Sequence, residues 1–313
     1  MHDLGSASEY TIIYLPPESP EWAGLLAQFT LNVVARDGRH FAAWAGERLS
    51  RVTARDHGLA ALADGRLLGM VFLEYLDDAV EITFPWLAGP DPEVAAGLLR
   101  AAVQEAHEQW PGVRNIRVER QLLPTEPEVD AAAGAGFACH WRKRMGLELD
   151  HWSEPQRVPA GYRLAPWNIR ELDAAARVVY AANRDTLDAR LYASFFGTSA
   201  QDCRHGLLAI LAGKYGPVHP QATLCAFAGQ ELVGLNLVIS NSQSLASVIE
   251  ISVAPAHQGK GLGRALMIGS LLALKEERYE RAELAVTEGN AAICLYHSLG
   301  FIEEGKFAVC VLP

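Results

Sequence analysis

Three short sequence patterns recur in the same order about 165 residues apart, and this repeat constrains the fold more than any other feature. The matching segments are 64–73 with 229–238, 81–84 with 250–253, and 133–137 with 298–301. Each segment is an ordinary strand–turn pattern, so coincidence is the competing explanation. The shared order and spacing favour two copies of one α/β unit.

A break between the two copies lies at residues 151–160. This stretch, HWSEPQRVPA, contains two prolines and little apolar periodicity, as expected for a linker. A chain of 313 residues is also long enough for two domains. We therefore predict one domain over 1–150, a linker over 151–160 and a second domain over 161–313.

Apolar periodicity predicts alternating strands and helices in the second half, and the first half runs the same way. The predicted strands are 162–165, 221–228, 231–240, 245–253, 281–286 and one within 305–312. The predicted helices are 169–182, 201–213, 261–277 and 291–299. This order indicates a mixed α/β fold.

The charge balance excludes several classes of protein. The chain has 27 Lys and Arg against 37 Asp and Glu, a net charge of −10, and no basic block. It is therefore a poor binder of nucleic acid or anionic membrane, and it would attract a cationic substrate. No apolar run approaches about 18 residues and no signal peptide is visible, so we expect no membrane helix and a cytoplasmic location.

The cysteines and histidines show no metal-binding pattern. The cysteines lack a C-x-x-C pair, are widely spaced, and are each set among apolar residues: Cys139, Cys203, Cys225, Cys294 and Cys310. We predict that they are small core residues in a reduced protein. The ten histidines form no H-E-x-x-H and no cluster with cysteine, so we expect no metal site.

A glycine-rich loop in the second copy carries the strongest chemical signal. Residues 249–267, IEISVAPAHQGKGLGRALM, are typical of a strand, a loop with three alternating glycines, and a helix. Such glycines let backbone N–H groups approach phosphate oxygens at a helix N-terminus, and Lys260 and Arg264 add positive charge. A tight turn that needs glycine only for its shape is the alternative. The loop fits neither a Walker A nor a G-x-G-x-x-G dinucleotide pattern well.

Two motifs of the second copy resemble those of the GNAT superfamily of N-acetyltransferases. The first is Q-x-x-G-x-G at 258–263, after a V-x-P strand end. The second, LAVTEGNAAICLYHSLGF at 284–301, resembles the closing motif of that superfamily. The resemblance covers about residues 160–313 and departs at Ile293, where a small Ala is usual. It implies acetyl-CoA as co-substrate and two tandem domains, each a mixed, mostly antiparallel sheet flanked by helices.

The resemblance also implies where acetyl-CoA would bind. In that family the strand ending at Val253 splays from its neighbour, and residues such as Ile251 and Val253 pair with the pantetheine arm. The pyrophosphate would be held by Gln258, Gly259, Lys260, Gly261, Leu262, Gly263 and Arg264. Asn290 has two open interpretations, a bond to the pantetheine arm or a helix N-cap that needs no ligand.

In the superfamily that this chain resembles, the residue at the position of Tyr296 is the general acid. Attack of an amine on the thioester expels a thiolate, which a phenol with a pKa near 10 can protonate. A half-buried core tyrosine is the alternative. For the base we predict Glu250, which faces opposite to Ile251 on the strand, with Glu288 as the runner-up. Members of the superfamily differ in where the base sits, so the resemblance does not decide between them.

The acceptor side is described by composition alone. Residues 183–220 form an insert of the kind that covers the acceptor pocket in this family. Its acids and aromatics can cage a cationic amine: Asp185, Asp188, Tyr192, Phe195, Phe196 and Tyr215. A helical hairpin with an aromatic core explains the same residues.

The first copy has the sequence of a degenerate unit. Where the glycine loop belongs, residues 88–97 place Pro90 and Pro92, which lack N–H donors, and the acids Asp91 and Glu93. The sequence therefore predicts one site for acetyl-CoA, in the second domain, and a structural first domain.

The predicted function is an N-acetyltransferase that acts on a small-molecule or peptide amine by direct transfer, as a monomer or homodimer. No cysteine is placed to form an acyl-enzyme. One alternative is an acetyl-CoA sensor without turnover, and another is a transferase that uses a different acyl-CoA or an O-acceptor.

Overall fold

A computed structural model describes residues 10–15, 23–25, 27, 28, 30, 31, 57–76, 79–87, 91–113, 115–118, 126–196 and 199–312. The chain divides into two units. Unit 1 comprises Met1–His140 and Phe307–Pro313, and unit 2 comprises Trp141–Lys306.

The first half of the chain contains six strands and two helices with defined bounds. They are β1 (Thr11–Leu15), β2 (His57–Ala63), β3 (Arg66–Leu76), β4 (Ala79–Leu87), α1 (Pro92–Gln109), β5 (Asn115–Val118), α2 (Glu126–Gly134) and β6 (Ala138–Glu148). β2 and β3 are joined by Asp64 and Gly65, both at positive φ, as a two-residue hairpin turn requires.

The second half repeats this order of strands, with helices after its first strand; in the first half the described residues between β1 and β2 (23–25, 27, 28, 30 and 31) are helical too. The elements of the second half are β7 (Tyr162–Pro166), α3 (Leu172–Asn183), α4 (Leu187–Leu191), α5 (Ala193–Phe196), α6 (Ala200–Leu211), β8 (Leu224–Ala228), β9 (Glu231–Ser240), β10 (Leu245–Val253), α7 (Leu262–Glu276), β11 (Arg281–Thr287), α8 (Ala292–Ser298) and β12 (Ile302–Leu312). Short 3₁₀ turns at Ile169–Glu171 and Pro255–His257 precede α3 and α7.

The strand order confirms a mixed α/β fold built twice. In unit 1 the sheet runs β1-β2-β3-β4-β5-β12, and in unit 2 it runs β6-β11-β10-β9-β8-β7. Neighbours are antiparallel except for β4 with β5 and β10 with β11. β3 begins at Arg66 and β9 begins 165 residues later at Glu231, so the sequence repeat is a repeat of structure.

Each unit takes one strand from the other half of the sequence. The Trp141–Glu148 part of β6 belongs to unit 2, where it pairs with β11. The Phe307–Leu312 part of β12 belongs to unit 1, where it pairs with β5. This division differs from the predicted boundary at 151–160, because strand pairing and not chain order decides which residues pack together. Residues 151–158 have no regular structure, and the indole of Trp152 donates a hydrogen bond to the carbonyl of Leu299, 2.8 Å away.

The core of unit 2 lies on both faces of its sheet. Val238 packs with β10, β11, α7 and α8, whereas its neighbours Leu237 and Ile239 pack with α3 and α6. Alternate residues of a strand point to opposite faces, so β9 is buried on both sides. Its near-continuous apolar sequence, ELVGLNLVIS, follows from this burial.

The prediction for the cysteines is wrong at three positions. Cys139 on β6 and Cys310 on β12 form a disulfide within unit 1, across 171 residues of sequence. Cys294 is exposed, while Cys203 and Cys225 are buried and free, as predicted. The pairing follows from two strands lying side by side, which cysteine spacing does not reveal.

No helix in the described part of the chain is long and apolar enough to cross a membrane.

Candidate functional site

The strands β10 and β11 separate at their carboxyl ends. They pair in parallel only as far as Val248 opposite Leu284, although β10 continues to Val253. At the same point the register between β10 and β9 shifts, between Val248 and Glu250, as a β-bulge produces. The backbone N–H and C=O groups of residues 249–253 that are not bonded to β9 therefore face the opening.

The glycine loop leads from this opening into the N-terminus of α7. Gly259 and Gly261 have φ of 71° and 82°, a left-handed backbone that favours glycine. Gly261 is the N-cap of α7, and no side-chain hydrogen bond caps this helix. The first backbone N–H groups of α7, from Leu262 onward, are therefore available to an anion.

The other loop side chains hold the loop in place. Gln258 donates from Nε2 to the carbonyl of Val253 at 2.9 Å, which ties the loop to the strand end. Lys260 donates from Nζ to the carbonyl of Ala256, also at 2.9 Å. Leu262 is buried in the core between β8, β9 and α7.

Arg264 faces a carboxylate and a hydroxyl group. It donates from Nη1 to Oγ of Ser298 at 2.8 Å and from Nη2 to Oε2 of Glu154 at 3.1 Å. A cavity of about 460 Å³ opens here, lined by Glu154, Pro155, Arg157, Pro159, Gly261, Arg264 and Ile268. Both predicted cations of the loop thus have partners inside unit 2.

Glu250 is a buried carboxylate near the separation of the strands. Its Oε1 accepts hydrogen bonds from the hydroxyl of Ser252 and from Nδ2 of Asn183 at 3.3 Å. Burial raises the pKa of Glu250 to about 7. The two hydrogen bonds and the charge of Arg142 lower this pKa, while the charge of Asp188 raises it. Glu250 can therefore accept a proton near neutral pH.

Tyr296 lies on α8 with 6% of its surface exposed. Its ring packs against that of Phe301 edge to face, with centroids 6.1 Å apart. Burial raises the pKa of Tyr296 above its ordinary value of 10.0, and the charges of Glu250 and Asp188 raise it further. The phenol therefore stays protonated at neutral pH, and its pKa responds to the carboxylate of Glu250.

Asn290 joins α8 to a carboxylate that sequence reasoning did not place here. Its Oδ1 accepts the backbone N–H of Ala292 at 2.9 Å, and its Nδ2 donates to Oδ2 of Asp188 at 3.2 Å. Asp188 also accepts hydrogen bonds from Arg142 at 2.9 Å and Thr287 at 2.6 Å. No sequence pattern pointed to Arg142 or Thr287. Asp188 was predicted only as one of several residues that could surround a cationic amine.

The insert does not bring its predicted acids and aromatics together around one space. Phe196 lies in the core between α3 and α6. Asp185 is exposed and paired with Arg184. The guanidinium of Arg142 lies over the ring of Tyr192, with Cζ of the arginine 4.7 Å from the ring centroid. The chain's own arginine therefore occupies the cation position beside Asp188 and Tyr192.

The corresponding helix of unit 1 begins differently. Asp91 is the N-cap of α1, and its Oδ1 accepts the backbone N–H groups of Glu93 and Val94 at 3.1 and 3.2 Å. Residues 88–90, which include Pro90, lie outside the described residues.

Among the described residues, no group of His, Cys, Asp or Glu is arranged to hold a metal ion.

Known proteins share both sequence and fold with this chain. Residues 220–303 match the model of an acetyltransferase (GNAT) domain. A mycothiol acetyltransferase from Streptomyces scabiei (strain 87.22) is 36% identical over 85 residues, which are 26% of this chain and 28% of the relative. Another, from Renibacterium salmoninarum, is 42% identical over 60 residues, 19% of this chain and 18% of the relative. The chain thus spans less than a third of the length of these relatives.

Solved structures extend the likeness to nearly the whole chain. A GCN5-related N-acetyltransferase from Sphaerobacter thermophilus has a TM-score of 0.71 at 12% identity and covers 96% of this chain and 95% of its own. A tandem GNAT protein from the clavulanic acid biosynthesis pathway has a TM-score of 0.61 at 17% identity. The match covers 97% of this chain and 98% of that protein. Residues 220–303, which contain the glycine loop and Tyr296, thus match a GNAT acetyltransferase domain, and the chain as a whole has a fold similar to that of a tandem GNAT protein.

Proposed function

We propose that this chain is an N-acetyltransferase that moves the acetyl group of acetyl-CoA to a primary amine by direct transfer in a ternary complex. The observation that carries the proposal is the opening between β10 and β11, which leads into the uncapped N-terminus of α7. A strand edge suits the amide-bearing pantetheine arm, and a helix N-terminus suits a diphosphate. Acetyl-CoA, when bound, supplies a thioester carbonyl that an amine can attack.

The residues that would hold acetyl-CoA follow the path of this opening. The backbone of Ile251 and Val253 would pair with the pantetheine amides, and the N–H groups from Gly259 to Arg264 would surround the pyrophosphate. Lys260 and Arg264 would turn from the Ala256 carbonyl and Glu154 toward phosphate oxygens. The backbone contacts would position the pyrophosphate, and the two side chains would add positive charge.

Tyr296 is the proposed general acid. The amine nitrogen bonds to the acetyl carbon, the carbon–sulfur bond breaks, and the sulfur takes the proton of the Tyr296 hydroxyl. Burial raises the pKa of Tyr296, so the phenol carries this proton at neutral pH, and the same shift makes it a weaker acid toward the sulfur than an exposed phenol. Solvent then returns a proton to the phenolate.

Glu250 is the proposed base, acting on the amine through a water molecule. Both of its hydrogen bonds to Asn183 and Ser252 go to Oε1, which leaves Oε2 for that water. Its pKa of about 7 matches the task of accepting a proton near neutral pH. Glu288, the runner-up, is exposed. Glu250 is buried beside the separation of β10 and β11, so we favour Glu250.

The names of the two curated relatives suggest where to look for the acceptor. Both are mycothiol acetyltransferases. We therefore propose a small polar amine related to mycothiol as the first acceptor class to test, followed by peptide N-termini. The net charge of −10 favours a cationic acceptor of either kind.

A thiol-release assay tests the proposal directly. Purified protein, acetyl-CoA and a panel of amines should release free CoA thiol only when an accepted amine is present, with the acetylated amine seen by mass spectrometry. Binding of acetyl-CoA by calorimetry without turnover on any amine would favour the sensor alternative. Faster turnover with another acyl-CoA or with an alcohol would favour the other transferase.

A further inference from the structure

The carboxylate of Asp188 is the meeting point of four segments of unit 2. Asp188 lies on α4, and its Oδ1 accepts from Arg142 of β6 at 2.9 Å and from Thr287 at the end of β11 at 2.6 Å. Its Oδ2 accepts from Asn290 at 3.2 Å. The Arg142 and Asp188 side chains are only 12% and 16% exposed, so this is a partly buried ion pair with defined geometry.

Arg142 is itself held from several sides. Its Nη2 donates to the carbonyl of Ala285 at 2.8 Å, and its Nη1 also lies 3.3 Å from the Thr287 hydroxyl. Its guanidinium stacks over the ring of Tyr192. Rotation of Asp188 would therefore break several contacts at once, and the carboxylate is fixed relative to the end of β11.

Asn290 transmits this position to α8. Its Nδ2 donates a hydrogen bond to Asp188, and its Oδ1 accepts one from the backbone N–H of Ala292, in the first turn of α8. α8 has only seven residues, and helices this short are unstable unless outside contacts fix them. Tyr296 lies one turn further along the same helix.

We propose that Asp188 is a positioning residue for the transfer reaction: held by Arg142 and Thr287, it fixes Asn290 and the start of α8, and so places the hydroxyl of Tyr296. This inference rests on the proposed function, because it assumes that Tyr296 is the acid. The pKa of Tyr296 responds to the charges of both Asp188 and Arg142, which agrees with their proximity. A misplacement of about 1 Å can cost about a hundredfold in rate.

The test compares Asp188→Asn in two backgrounds, the native chain and Tyr296→Phe. In the native chain Asp188→Asn should lower kcat about tenfold or more, with acetyl-CoA affinity within about twofold. Both backgrounds are compared at about pH 9, where Glu250 is ionised whether or not residue 188 is charged. In the Tyr296→Phe background the same change should alter kcat by less than about twofold, since the hydroxyl that Asp188 places is already absent. Asp173→Asn on α3, an exposed carboxylate that pairs with Arg204 outside the network, is the matched control and should leave kcat unchanged.

The outcomes separate this proposal from the proposed function. Equal losses in both backgrounds, or an unchanged kcat for Asp188→Asn, overturn the positioning role while leaving the acid in place. A Tyr296→Phe chain with native kcat overturns the acid role, and the positioning role with it. Should Asp188→Asn not fold by circular dichroism, Thr287→Val removes one of its donors with nearly the same shape. It should give a smaller loss of kcat that also vanishes in the Tyr296→Phe background, and a loss that persists there overturns the proposal.

Discussion

Asp91 and Gly261 occupy the same N-cap position in the helices that follow β4 and β10, but only Asp91 places a side-chain oxygen on the helix N–H groups. In unit 1 the groups that an anion would need are therefore already bonded, by a negatively charged side chain. In unit 2 they are open. The two copies of the fold differ at the point where a diphosphate would bind.

We expect one acetyl-CoA per chain from this difference. A pyrophosphate near Asp91 would be repelled by about 4 kcal/mol for a charge about 4 Å away at an effective dielectric constant of about 20. Isothermal titration of the whole chain should give a stoichiometry of one. Two sites of similar affinity would contradict the view that unit 1 is degenerate.

Gly261→Asp and Gly263→Asp should each abolish acetyl-CoA binding. A carboxylate at either position enters the space beside the N–H groups of α7, and Gly261 also has a left-handed backbone. Gly229→Asp is the matched control, because Gly229 has φ of 59° in the turn between β8 and β9. Calorimetry on folded variants decides the matter, and unchanged binding in the loop variants would show that the loop is not the phosphate site.

Tyr296→Phe should lower kcat by about a hundredfold or more, with little change in acetyl-CoA affinity. The change removes only the proton donor for the departing sulfur. Tyr279→Phe removes a hydroxyl bonded to Ser240 instead and should keep kcat near native. Steady-state rates with an accepted amine test this, and a native rate for Tyr296→Phe would exclude the phenol from the reaction.

Glu250→Gln should change the pH profile of the reaction. With its pKa of about 7, Glu250 loses its proton as the pH rises through neutrality, so kcat/KM of the native chain should rise there. The variant should be slow near pH 7 and recover partly at high pH, where more of the amine is unprotonated. An equal loss at every pH would argue against Glu250 as the base.

The same variant should be more stable than the native chain at alkaline pH. The folded-state pKa of Glu250 is raised from 4.5 to about 7, so the folded state binds more protons than the unfolded state between these values. Folding stability therefore falls as the pH rises through this window, by up to about 3 kcal/mol. Glu250→Gln removes this loss, and urea denaturation at pH 5 and pH 8 should show a gain only at pH 8. A gain at neither pH would mean that the carboxylate is well solvated.

Local sequence patterns were enough to predict much of the secondary structure of the second half. β9 and β10 have the predicted bounds of 231–240 and 245–253, because both are apolar runs ended by turns. The strand, glycine loop and helix at 249–267 were predictable for a similar reason, since they lie within a few consecutive residues.

Contacts between distant segments were not predictable in this way. Arg142 was assigned to the first domain, yet it bonds to Asp188 and Thr287 of unit 2. The disulfide between Cys139 and Cys310 was missed as well. Both depend on which strand lies beside β6, and the apolar pattern of a strand reports its burial but not the identity of its neighbours.

The exchange of strands also sets the order in which the protein can be completed during translation. Val118 of β5 pairs with Cys310 of β12, and the ribosome makes these residues about 10 to 40 s apart at about 5 to 20 residues per second. Until then the nascent chain exposes the unpaired edge of β5, a site at which strands of other molecules can add. Although it emerges first, unit 1 is expected to depend most on chaperones and to be the more sensitive to ribosomal pausing.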